Sequence, residues 1–72
     1  MNVSKLRGII SERGLSQRLV AKEIGVTEKT FYSKMKKGVF GTDEVEKMIE
    51  LLQIEDPASI FFDNRVTYKV TE

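Results

Sequence analysis

Lys29, Tyr32, Ser33 and Lys36 recur at three- and four-residue intervals, with Glu28 directly before them. If this stretch is helical with Phe31 and Met35 inward, these five residues share the outward face. Short polar and long basic side chains beside one aromatic are suited to hydrogen bonding with base edges in a major groove. Lys34, Lys36 and Lys37 cluster at the end of the same stretch. There they suit the negative pole of a helix and are candidates for phosphate contact. Gln17 and Arg18 fall in the first turn of a preceding helix, where outward-pointing backbone amides can take a phosphate oxygen.

Other chemistries have less to work with. The chain has no histidine and no cysteine. Disulfides, thiolate metal sites and histidine-based general bases are therefore absent. Asp43/Glu44 and Glu46/Glu50 sit at helical spacing on what reads as a wet face, with no glycine-rich loop beside them. The expectation is a non-enzyme without cofactor or metal. No run approaches the ~18 apolar residues of a membrane span and no signal peptide is visible, so cytoplasmic residence is the expectation.

The polar face depends on the elements that carry it. Leu15 to Gly38 reads as two short helices, about 17–24 and 28–36, joined by a turn centred on Gly25. Ser16 and Thr27 are the expected N-caps, since their hydroxyls can accept from first-turn amides. Val20, Ala21 and Ile24 form the apolar side of one helix, and Phe31 and Met35 that of the other. Small Ala21 permits close approach, and Gly25 can take positive φ. The pair describes a helix-turn-helix.

Around it, residues 3–13 predict a first helix with Val3, Leu6 and Ile10 inward, Ile9 at the margin, and Gly14 as the stop. Val39 and Phe40 are expected to tuck back onto the bundle. Thr42 reads as an N-cap for a helix over 43–52, whose Val45, Met48, Ile49 and Leu52 give a clear amphipathic stripe. Asp56-Pro57 reads as the start of a last short helix, 57–61, with Asp56 capping and Ile60, Phe61 and Phe62 delivered to the core. In residues 65–71 the period changes to two, with Val66, Tyr68 and Val70 on one face. This segment reads as a strand of a homodimer, as a cover on the helices, or as disordered. The expected fold is all-α: a compact five-helix domain over 1–62 and an extended tail over 63–72.

Charge is segregated. Residues 1–38 carry a net +6 and residues 39–72 a net −5, within an overall +1. A basic half that also holds the two-helix motif points toward a polyanion.

The pattern G-L-S-Q-x-x-x-A-x-x-x-G-V-T-x-x-T-F over residues 14–31 resembles the helix-turn-helix of Cro- and repressor-like regulators of temperate phages. The later G-x-F-x-T-x-E-V-x-x-M-I-x-L-L-x-I and the closing I-F-F extend the resemblance across residues 3–62. It implies a transcription regulator of the lysis–lysogeny switch that binds double-stranded operator DNA. It also implies a phage repressor as partner, so that a modulator or antirepressor acting by direct protein binding is the alternative. The resemblance assigns phosphate contact to Gln17 and base-facing positions to Glu28, Lys29 and Ser33, with Tyr32 beside them. Leu19 stands where the family is usually polar, and Ile9 where it is often charged; together they form a candidate patch for a protein partner.

Overall fold

The computed structural model describes residues 1–62, and every described element is an α-helix. The helices are α1 (Val3–Glu12), α2 (Gln17–Ile24), α3 (Glu28–Lys37), α4 (Thr42–Leu52) and α5 (Pro57–Phe61). The expected strand or tail over 63–72, including the homodimer segment 65–71, lies outside the described residues. Among the described residues, no helix is long and apolar enough to cross a membrane.

Local chemistry starts the first three helices. Asn2, Ser16 and Thr27 each accept a bond from an amide of the first turn, those of Lys5, Leu19 and Thr30. Without these side chains the amides would have no intrahelical acceptor. Starts four and five differ from expectation. Thr42 is already helical and Gly41 is the N-cap. The Glu44 carboxylate turns back to accept the Gly41 amide at 2.8 Å. Glycine has no side chain to answer with, so only the returning half of a capping box is made. Asp56 makes no side-chain cap bond. Its carbonyl instead accepts from the Ser59 amide and hydroxyl.

The ends of α1 to α4 share one closure. Beyond α2, the Val26 amide reaches back to the Ala21 carbonyl at 3.0 Å while Gly25 takes φ +85°. This is the Schellman arrangement, which satisfies carbonyls the helix leaves open. Beyond α4 the Ile54 amide bonds the Ile49 carbonyl in the same way, but the left-handed residue is Gln53, at φ 52°. Gln53 is the one non-glycine at positive φ among the described residues.

The core is drawn from all five helices: Leu6 and Ile10 of α1, Val20, Ala21 and Ile24 of α2, Phe31 and Met35 of α3, Met48 and Leu52 of α4, and Ile60 of α5. Ile54 completes it. α2 packs against α1, α3 and α4, and α1 also against α5. Two expectations fail at the edge. Val39 and Phe62 were expected inside, but are 64% and 65% exposed. In the loop after α3, Phe40 takes the inner position against Phe31, with ring centroids 5.4 Å apart. Its neighbour Val39 is left at the surface. The single turn of α5 turns Ile60 fully inward and leaves Phe62 beyond the helix end. Val39 and Phe62 thus line the same apolar depression as Met1, Phe40 and Phe61.

Two long-range ties fix the ends of helices. Arg13, just past α1, donates from Nε to the Leu52 carbonyl at 2.7 Å and from Nη2 to the Gln53 carbonyl at 3.2 Å. A guanidinium at the C-terminus of α4 meets both the open carbonyls and the negative end of the helix dipole. Lys34 of α3 places Nζ 2.8 Å from both Glu44 oxygens, tying α3 to the first turn of α4.

Candidate nucleic-acid interface

α2 and α3 hold the candidate residues on one surface because their inward residues leave no alternative. Phe31 and Met35 are buried, so the turn they define exposes Glu28, Lys29, Tyr32 and Ser33 on the far side of α3. Val20, Ala21 and Ile24 fix α2 in the same manner and turn Arg18 and Leu19 outward, with Gln17 half-buried at the helix start. The capping geometry of Ser16 and Thr27 orients both N-termini. Each presents a first turn whose amides carry partial positive charge.

Glu28 joins the two helices. Its Oε2 accepts the Tyr32 hydroxyl at 3.0 Å, one turn along α3. Its Oε1 lies 4.0 Å from Nε of Arg18, across the turn on α2. The hydrogen bond to this carboxylate holds the Tyr32 phenol above the ordinary tyrosine range, with desolvation and the carboxylate's charge adding in the same direction. A phenol that donates to an anion keeps its proton more tightly.

The five residues of the expected phosphate set divide. Lys36 and Lys37 are exposed and, among the described residues, form no ion pair, as is true of Lys29. Arg18 is exposed but stands beside Glu28. Gln17 opens α2. Lys34 is committed to Glu44: the two side chains are only 31% and 17% exposed. The Lys34 bond, followed by the Gly41 amide, holds the Glu44 carboxyl below the usual glutamate range. Its position makes Lys34 a strut between α3 and α4.

Ile9 and Leu19, the candidate partner patch, are treated differently by the fold. Ile9 is half-buried against the core and lines a shallow depression with Ile54 and Ile60. Leu19 is 39% exposed and does not line that depression. Among the described residues, no group of three or more His, Cys, Asp or Glu side chains is placed to hold a metal ion.

The Arg18–Glu28–Tyr32 contact is only half legible in the sequence. The four-residue spacing of Glu28 and Tyr32 was a usable signal; the approach of Arg18 required the angle between α2 and α3.

Comparison with protein-family models, with curated proteins and with solved structures finds no match to this chain.

Proposed function

We propose that the chain is a small transcription regulator of a temperate-phage lysis–lysogeny switch, in which α2 and α3 act as a helix-turn-helix on operator DNA. α3 enters the major groove. Lys29, Tyr32 and Ser33 face base edges, while Gln17, Arg18, Lys36 and Lys37 meet the backbone on either side. The observation that carries this reading is the division of α3 itself. Its buried side is Phe31 and Met35, and its exposed side is a row of hydrogen-bonding side chains without an apolar patch. The net charge of +6 on residues 1–38 supports the same reading, because phosphate neutralisation supplies the affinity of such proteins.

Selection of duplexes from a random pool by the full chain tests it. Enrichment of a defined half-site is expected, with affinity that falls steeply as salt rises. A pool that stays random through successive rounds would refute the proposal.

One observation favours a second reading, in which the same surface engages a phage repressor directly. Leu19 is a large apolar residue, 39% exposed, next to Arg18 on α2. Desolvated apolar side chains anchor protein interfaces and add little to phosphate contact. On this reading the chain co-elutes with the repressor encoded beside it, and Leu19→Asp abolishes the association. Co-elution that survives Leu19→Asp would remove the argument.

A further inference from the structure

We infer that Glu28 is a positioning residue at this surface: its carboxylate ties Arg18 of α2 to Tyr32 of α3 and thereby trades sequence-independent affinity for discrimination. The inference rests on the DNA-binding reading above.

A carboxylate at the start of a groove-reading helix is unfavourable toward phosphate unless it has another task. The base edges it can accept from are the amino groups of cytosine and adenine. In this fold both its oxygens are already oriented within the protein. Oε2 accepts from the Tyr32 hydroxyl at 3.0 Å and Oε1 stands 4.0 Å from the Arg18 guanidinium. Neither contact is strong in water, where exposed pairs contribute little. Excluding water at an interface strengthens both, and unpaired members would then be costly. Two consequences follow. Arg18, 83% exposed, has the Glu28 carboxylate 4.0 Å from its Nε, so once water is excluded part of its charge is answered and it adds less to indiscriminate phosphate binding. The Tyr32 hydroxyl donates to Glu28, so where water is excluded the ring is held in the orientation that keeps this bond and its edge meets the bases from that side.

Glu28→Gln removes the charge and keeps the size. The full-chain variant should bind scrambled duplex more tightly, with a salt dependence steeper by about one phosphate contact, roughly 0.9 in the logarithmic slope. Its preference for a selected duplex over a scrambled one should fall about tenfold, the scale of one lost base contact. Tyr32→Phe should also lower discrimination, and the double variant should lose less than the two losses combined, because both remove the same contact. A readout without DNA accompanies these. In a Tyr68→Phe background, where Tyr32 is the sole tyrosine, Glu28→Gln should lower the midpoint of phenol ionisation followed by absorbance. Thermal melts establish that each variant is folded.

Unchanged discrimination and salt slope in Glu28→Gln would overturn the inference while leaving DNA binding intact. So would a loss confined to one position bearing a cytosine or adenine amino group and abolished by changing that base, which would make Glu28 a direct reader. Failure of the unsubstituted chain to discriminate between duplexes would instead overturn the functional reading, and the inference with it.

Discussion

Replacing Glu44 by Gln tests how α3 is held against the rest of the molecule. Lys34 Nζ lies 2.8 Å from each oxygen of the carboxylate, and the Gly41 amide donates to Oε1 at 2.8 Å. Hydrogen bonds to charged groups contribute about 1.5–3 kcal/mol when well buried, and fully exposed ion pairs about 0–1 kcal/mol. With side chains 31% and 17% exposed, the Lys34–Glu44 pair falls between these limits. Glutamine can still accept from the Gly41 amide, so Glu44→Gln removes mainly the ionic part, about 1 kcal/mol. Glu44→Ala also leaves the amide unanswered and should cost about 2 kcal/mol. For a domain of this size each kcal/mol lowers Tm by about 4–8 °C. The pH dependence adds a second signature. Glu44 is held below its usual value of about 4.5, so the unfolded chain binds the proton more readily. The stabilisation is therefore fully present above that usual value and is lost as pH falls through the lower folded-state value. Thermal melts of the full chain and both variants, from neutral pH into acid, read all of this. The curves of the full chain and Glu44→Gln should converge at low pH, with Glu44→Ala remaining below both because the Gly41 amide stays unanswered. An unchanged Tm in Glu44→Ala, or an undiminished acid dependence in Glu44→Gln, would refute the reasoning.

Other substitutions bear on the fold and the interface separately. A Cβ at Gly8, in the middle of α1, would meet no atom within 4 Å, so Gly8→Ala should stabilise by about 1 kcal/mol and raise Tm. Gln53 holds φ 52° without the freedom of glycine, and Gln53→Gly should likewise gain about 1 kcal/mol in a denaturant titration, since the Arg13 bond is to the backbone carbonyl and survives. In duplex titrations Lys29→Ala should reduce preference between sequences by about 1–3 kcal/mol, whereas Gln17→Ala should weaken all duplexes alike. Equal effects of these two on discrimination would contradict their separate roles.

The parts of the fold that were legible in the sequence are those that local chemistry decides. Ser16, Thr27 and Gly25 act within one turn of their own position, and Pro57 needs only the first turn of its own helix. The apolar spacing of Phe31 and Met35 likewise located the outward face of α3 before any packing was known. What was illegible depends on distant partners. Arg13 carries no local mark of its role: just past α1, it serves α4 by reaching carbonyls 39 and 40 residues away. By sequence Lys34 is equivalent to Lys36 and Lys37; only the packing of α4 brings Glu44 beside it. Composition could not decide between Val39 and Phe40, because one inward place was available next to Phe31 and the larger ring took it. Gln53 has no compositional mark of a left-handed residue; the closure beyond α4 imposes it.

The central claim is that the outward row of α3, with the first turn of α2, is the surface that meets DNA. Backbone amide shifts of the full chain, followed as a selected duplex is added, test it most directly. Perturbations should centre on Gln17, Arg18, Lys29, Tyr32 and Ser33, with α5 silent. Shifts concentrated on α4 and α5 with α3 unmoved, or no shifts at all, would contradict it.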